Sequence, residues 1–349
     1  MGVGRSGEIV ILLKKPLAFR RSLLRWFRRH GRDLPWRRTR EPYPILVSEF
    51  MLQQTQVASV IPYYNRWLSR FPDFASLARA SENDVLHAWQ GFGYYARARN
   101  LHATVRTVAD QYRGHFPQTI EQMRQLPGIG KYTAHAVASF AFNQSVPIVE
   151  ANTARVLTRL FDFRDSIDSA LGRRTLWQYG ATLVPKSNAR IYNSALIDLG
   201  ALICVPQEPK CGICPVKKFC RAKNPEKLPI RKPCPRTTRL VEKHAFVVRR
   251  GKILLEQSSK RWRRMWILPP LQADCFARSR FRKRETYTSV FPFTNHRVAL
   301  KVYAERPRKI DKRSQRWIRI KLLESIPIPS PHRRALQHLL QTDRIKGKA

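Results

Sequence analysis

Four of the six cysteines in this 349-residue chain fall within 17 residues, Cys204, Cys211, Cys214 and Cys220, with the spacing C-x6-C-x2-C-x5-C. The other two, Cys234 and Cys275, fit no spacing. Six cysteines are too few for a disulfide scaffold in a chain of this length. Soft thiolates clustered in this way argue for a metal or iron-sulfur site. A zinc site with four thiolate ligands is the alternative, and thiolate count alone does not separate the two.

The cysteines close a long helical region. From Pro16 to about Lys223 the apolar pattern is helical almost throughout: Phe19, Leu23, Trp26 and Phe27 recur at helix spacing, Gly31 supplies a stop, and similar segments follow without strand alternation. Between Arg221 and Lys243 the chain turns rich in Pro, Lys and Arg, which reads as a connector. Beyond it, His244–Arg249 and Lys252–Gln257 read as a hairpin closed at Gly251, Arg297–Tyr303 as a strand and Pro331–Leu340 as a terminal helix. The expected fold is mainly α: a helical domain over 16–223, a linker over 224–243 and a smaller α+β domain over 244–342, without internal repeats.

Charge narrows the partner. The chain carries 66 Lys+Arg against 24 Asp+Glu, a formal net charge of +42, and its 43% hydrophobic residues exclude wholesale disorder. Such an excess makes a counter-surface for polyanions, with a nucleic-acid backbone first and an anionic membrane second. Nine arginines and one acid, Asp33, lie between Arg20 and Arg40, and the runs Lys260–Arg264 and Arg278–Arg284 add more cations. No apolar run reaches the roughly 18 residues of a spanning helix, and Ile9–Leu13 is too short for a signal-peptide core. The expectation is a soluble intracellular protein. Met1–Ser6 fits a loose myristoylation pattern that recurs by chance.

Three stretches carry chemistry. Leu126-Pro127-Gly128-Ile129-Gly130-Lys131-Tyr132-Thr133-Ala134 sits between helical patterns at Thr119–Gln125 and Lys131–Phe142. Gly128 and Gly130 permit a tight turn, and the second helix opens with free amide N–H groups suited to an anion; an ordinary helix–helix turn is the plainer reading. Glu49 lies in the apolar run Ile45–Thr55, so its carboxyl must be paired or kept protonated by a raised pKa, and a carboxyl protonated at neutral pH is a general acid. Glu150 opens Val149–Val156 at a helix start, where the dipole and free amides favour the ionised form, although a plain cap explains it as well. The two acids are thus expected in opposite protonation states, the arrangement that glycosyl-bond chemistry uses.

Taken together and in this order, Leu34-Pro35-Trp36-Arg37, Val47–Thr55, Gly91-Phe92-Gly93-Tyr94-Tyr95, Leu126–Tyr132, Ala195–Cys204 and the four cysteines make Phe19–Cys220 resemble the MutY-type adenine DNA glycosylases of the endonuclease III superfamily. The resemblance implies a two-lobed helix-hairpin-helix glycosylase, a 4Fe-4S cluster on Cys204, Cys211, Cys214 and Cys220, and adenine mispaired with 8-oxoguanine as substrate. Residue by residue, it implies that Glu49 is the acid that protonates the base, that Tyr132 lines the site and that Asn152 sits beside the second carboxylate. Gln54 and Tyr94 would enter the duplex at the lesion, and Trp36 and Arg37 would lie near the base pocket. Bifunctional relatives hold a Schiff-base lysine where this chain has Tyr132, and Lys131 projects about 100° away on a helix, so lyase chemistry is not expected.

Two positions depart from the family pattern. Glu150-Ala151-Asn152 stands where the family has Asp-Gly-Asn, one methylene shorter, and Ser194 stands where adenine glycosylases carry a longer Glu or Gln. Both face the flipped base, so thymine or uracil opposite guanine is a second expected substrate class, and a lesion-binding protein without catalysis a third reading. The C-terminal part resembles the Nudix-like domain of these enzymes. Trp262–Pro269 is similar to its tryptophan-to-proline strand, and Phe293-Thr294-Asn295-His296 to its Phe-Ser-His loop, with Thr294 in the serine place and Asn295 or His296 in the histidine place. Leu271–Val290 holds only Asp274 and Glu285 as acids, so pyrophosphate hydrolysis is not expected. The expected partner is double-stranded DNA carrying a mismatch or 8-oxoguanine, bound by a monomer away from membranes. The expected location is the cytoplasm near the nucleoid, or the nucleus in a eukaryote.

Overall fold

The apolar run around Glu49 becomes helix α2. It is preceded by α1 (Pro16–His30) and itself spans Pro42–Leu52, burying every residue from Ile45 to Met51. A helix that is apolar on all sides belongs at the centre of its domain, and so its single acid is buried with it. The computed structural model describes residues 13–233, 236–271, 285–304 and 310–346, together with the paired strands β1 (Gly2–Val3) and β2 (Ile9–Val10). Helix α1 buries Phe19 and Leu23 and ends at Gly31, where a Cβ would meet the Phe27 ring at 2.6 Å.

The remaining helices of this region are α3 (Val57–Arg70), α4 (Phe74–Arg79), α5 (Glu82–Ala88), α6 (Ala96–Tyr112), α7 (Ile120–Met123), α8 (Lys131–Phe140), α9 (Ala151–Phe161), α10 (Ala170–Leu183) and α11 (Ala189–Leu202). The glycine-rich turn joins α7 to α8, both shorter than their sequence patterns. Gly128 adopts φ 75°, which favours glycine, and Gly130 caps α8. Helices α1, α9, α10 and α11 share a core that includes Leu23, Leu157, Leu160, Leu176, Leu196 and Leu199, with Phe161 stacked on Tyr179 at 4.0 Å. One close approach within it matters for the site. Gly200 on α11 lies so near α9 that a Cβ would meet Asn152 Cβ at 2.7 Å and the Asn152 carbonyl oxygen at 2.8 Å.

The C-terminal strands are β3 (Thr238–Ala245), β4 (Val248–Arg249), β5 (Lys252–Gln257), β6 (Trp266–Ile267), β7 (Glu285–Phe293), β8 (His296–Tyr303) and β9 (Gln315–Arg319). Strand β8 is flanked by β3, parallel, and β7, antiparallel, while β5 is paired with β4, β6 and β9. Ile253, Leu255, Phe291, Val298 and Leu300 from the two sheets share a core with Ala335, Leu336 and Leu339 of the C-terminal helix Ser330–Lys346.

The hairpin at Gly251 forms, but only Val248 and Arg249 supply its first strand; His244 and Ala245 belong to β3 in the other sheet. Strand β3 also starts inside the expected linker. Its first four residues are exposed, so no alternation marks them, and their backbone partner lies 58 positions away. Contacts divide the chain into two compact units. One is 1–78 with 103–233, and the other is 79–102 with 234–349, so α5 and the Gly91–Tyr95 loop group with the C-terminal strands. No helix among the described residues is long and apolar enough to cross a membrane.

Candidate active site

Within the first unit, α2, α8, the start of α9 and α11 converge on a cavity of about 180 Å³ lined by Trp36, Arg37, Ser48, Glu49, Tyr132, Glu150, Asn152 and Ser194, among others. Seven positions expected from the sequence to form the site therefore meet in one place.

Glu49 is 3% exposed, and its Oε2 has no hydrogen-bond partner among the described residues. Burial pushes its carboxyl up to about 7; the Tyr132 hydroxyl bonded to it pulls the other way, and the nearby Glu150 adds to the rise. The same burial, with the two carboxylates beside it, holds the Tyr132 hydroxyl well above its ordinary value.

Glu150 is the N-cap of α9. Its Oε1 accepts from the Thr153 N–H at 3.0 Å, its Oε2 from the Asn152 N–H at 2.9 Å, and Thr153 Oγ1 accepts from the Glu150 N–H at 2.8 Å, closing a capping box. Asn152 Nδ2 donates to the same Oε2 at 3.2 Å, so Asn152 does sit beside the second carboxylate. Burial raises the Glu150 carboxyl more than these amides and Arg155 lower it, and the net shift is upward. The expectation that the helix start would drive Glu150 opposite to Glu49 is corrected here: desolvation outweighs the amides and raises both. The three donations its carboxyl oxygens receive still fit an acceptor, which is what an ionised carboxylate offers.

Three residues of the site, Asp198, Arg32 and Arg155, escaped the sequence reading. Asp198, fully buried on α11, accepts from Arg32 Nε at 2.9 Å and from Arg37 Nη1 and Nη2 at 2.9 Å each, and both arginines line the cavity. Burial would raise its carboxyl, but Arg37 and Arg32 outweigh that and hold it below the usual carboxylate value. The signal was present: an acid in an apolar helix, four positions after Ser194. Arg155 donates from Nη2 to Asn152 Oδ1 at 2.9 Å and to the Gly200 carbonyl at 2.7 Å, and from Nε to the Cys204 carbonyl at 2.7 Å, so it orients Asn152 from behind. Lys131 rests its ammonium 4.1 Å from the centre of the Trp177 ring.

The other expected residues lie elsewhere. Gln54 sits just past α2 with φ 55°. In the second unit, Tyr94 is 48% exposed with φ 46°. Phe293 ends β7, Thr294 (φ 51°) and Asn295 form the exposed turn, and His296 opens β8 with its Nδ1 hydrogen-bonded to Thr238 Oγ1. Of the two candidates for the histidine place, Asn295 is the one at the tip.

Cys204, Cys211, Cys214 and Cys220 are free thiols lining one cavity of about 330 Å³ with Arg159, whose Nη1 donates to Cys204 Sγ at 3.3 Å. Burial pushes the Cys214 thiol up to about 11 and raises Cys220, with the other thiols adding to both, so four thiolates at this place call for a compensating cation. Among the described residues no group of three or more His, Cys, Asp or Glu side chains is arranged to hold a metal ion. Soft thiols spaced around a cavity, with a guanidinium beside them, fit a polynuclear iron-sulfur group.

Residues 47–181 match the family described as HhH-GPD superfamily base excision DNA repair protein. The chain is 45% identical over 215 residues to the adenine DNA glycosylase of Homo sapiens, covering 59% of this chain and 39% of the relative. It is 38% identical over 263 residues to that of Mycolicibacterium smegmatis, covering 72% of this chain and 87% of the relative. The chain belongs to the adenine DNA glycosylase family of the HhH-GPD superfamily. It spans less than half the length of its mammalian relatives. Among solved structures, a thermostable thymine-DNA glycosylase is 32% identical with a TM-score of 0.54, covering 59% of this chain and 95% of that one. An endonuclease III–DNA complex, 23% identical with a TM-score of 0.52 and covering 60% of this chain and 96% of that one, shares the fold.

Proposed function

We propose that this protein is a monofunctional DNA glycosylase that removes adenine paired with 8-oxoguanine or guanine from double-stranded DNA by hydrolysing the N-glycosidic bond. The observation that carries this reading is the meeting of Glu49 and Glu150 in one cavity, the first with a partnerless buried oxygen and a carboxyl pushed up to about 7, the second held by N–H donors alone. Glu49 gives its proton to the base as the bond from nitrogen to C1′ breaks, the base takes the bonding pair, and Glu150 offsets the positive charge left on the sugar. Water then adds to C1′ and releases its proton, leaving an abasic site. Tyr132 offers no amine, and Lys131 lies on Trp177, which supports hydrolysis without lyase chemistry.

Cys204, Cys211, Cys214 and Cys220 would hold a 4Fe-4S cluster, which when bound supplies four iron–thiolate bonds that fix the 204–220 loop. A second reading, removal of thymine or uracil opposite guanine, is favoured by Ser194, whose short side chain leaves the base pocket without a long polar group, and by the likeness to a thymine-DNA glycosylase. Single-turnover base release from duplexes carrying A:8-oxoG, A:G, T:G and U:G tests both. Release from the two adenine duplexes is expected. Release from T:G or U:G alone selects the second reading, and no release from any duplex leaves a lesion-binding protein.

A further inference from the structure

The second unit brings together two segments for which the family resemblance implies separate tasks: Tyr94, entering the duplex at the lesion, and the Thr294–Asn295 turn, in the place of the Phe-Ser-His loop of the Nudix-like domain that these glycosylases use to inspect 8-oxoguanine. Tyr94 is presented outward by a loop fixed from behind. Trp89 Nε1 donates to the Gly93 carbonyl at 2.9 Å, and the Arg97 guanidinium lies 5.4 Å from the centre of the Tyr94 ring. Tyr95 turns inward, is 4% exposed and meets Trp262 edge-on at 6.2 Å between centroids. Trp262 in turn meets the Phe293 ring edge-on at 5.7 Å, and Thr294 follows Phe293 directly.

The loop that carries Trp262 is gripped by the same segment at the next two residues as well. Arg99 donates to the Arg263 carbonyl at 3.3 Å, and Arg264 pairs with Glu82 at 2.6 Å. Trp262 Nε1 is buried with no hydrogen-bond partner among the described residues, so a large flat ring is kept here although its polar atom goes unmet.

We propose that Trp262 is a positioning residue that couples the Tyr94 wedge to the lesion-reading turn, so that the two act on the DNA as one rigid head. The inference rests on the proposed function and on the roles that the family resemblance implies for Tyr94 and the turn. Its test is a double-mutant cycle in the full-length protein, read as the ratio of single-turnover rates on A:8-oxoG and A:G. The cycle compares Tyr94→Leu, the paired substitution Thr294→Ala with Asn295→Ala, and their combination, each with Trp262, Trp262→Phe and Trp262→Leu. With Trp262 the combined loss of preference is expected to differ from the product of the separate losses by at least about fivefold, as for coupled neighbours.

Trp262→Phe keeps an aromatic edge and is expected to retain coupling, whereas Trp262→Leu is expected to bring the losses to within about twofold of their product. If the turn substitutions alone leave the preference unchanged, the lesion-reading role fails and the coupling with it. If each substitution lowers the preference but the losses multiply in the protein with Trp262, the lesion-reading role stands and the coupling is overturned; that comparison needs no change at Trp262. Coupling that persists undiminished in Trp262→Leu assigns it to another residue and equally overturns the proposal.

Discussion

Replacing Glu49 with Gln should make this protein inactive and should improve its stability relative to the wild type as pH rises through 7. The native carboxyl titrates at about 7 because burial opposes its charge, against an ordinary value of 4.5. It therefore holds its proton to higher pH in the folded than in the unfolded chain. The stability this confers is complete below pH 4.5 and is lost as pH rises through 7. At about 1.36 kcal/mol per pH unit, the interval between 4.5 and 7 amounts to about 3 kcal/mol of penalty in the wild type at pH 8. The amide of Glu49→Gln carries no such penalty, and whatever its own unmet hydrogen bonds cost does not vary with pH. The gap in unfolding free energy between variant and wild type should thus widen in the variant's favour by about 3 kcal/mol from pH 4.5 to pH 8, visible as several degrees in paired melting curves. Base excision should vanish while duplex affinity stays within roughly tenfold, because phosphate contacts elsewhere dominate binding. A gap that does not change with pH, or a wild-type excision rate in the variant, would refute both the raised carboxyl and its role as acid.

Three further outcomes follow from the geometry. The purified protein should be yellow-brown, with a broad band near ~400 nm that Cys214→Ser removes; a colourless, zinc-loaded protein made with iron supplied and oxygen excluded would defeat the cluster assignment. Glu150→Gln should slow single-turnover excision at least about a hundredfold, and Glu150→Asp should also slow it by retracting the carboxylate about an ångström, so faster cleavage by the aspartate variant would show a pocket not adapted to glutamate. Gly200→Ala should destabilise the protein by about 1–3 kcal/mol and lower excision, because the added carbon meets the Asn152 backbone oxygen, which cannot swing aside as a side chain would; circular-dichroism melts and excision rates matching the wild type would refute that close approach.

What the sequence disclosed and what it hid divide along physical lines. Tyr132 and Asn152 were placed beside the two acids only by the family resemblance, whereas Glu49 and Glu150 stood out because each occupies a local pattern whose chemistry is visible on its own, an acid in an apolar run or at a helix start. The Gly128 turn was legible for the same reason. The sign of the Glu150 shift was not, since local sequence names the amides that lower it but not the packing that desolvates it. Asp198 needed its two arginines to be seen, and they lie more than 160 residues away. The parallel pairing of β3 with β8 left no trace because the exposed start of β3 has nothing to bury. The grouping of 79–102 with the C-terminal strands is equally invisible to periodicity, which reports that a helix has a buried face and not what buries it.

That grouping has a consequence for synthesis of the chain. About 130 residues separate His102 from Cys234, so the second unit is discontinuous and its two segments alternate with those of the first along the sequence. At roughly 5–20 residues per second, α5 and the Gly91–Tyr95 loop leave the ribosome on the order of ten seconds before the strands that complete their unit exist. The apolar side chains of Leu86 and Tyr95, buried in the finished protein, must wait that long in a nascent chain. Slowing translation between His102 and Cys234 should therefore raise the fraction caught by holdase chaperones, whereas slowing it before Arg79 should not.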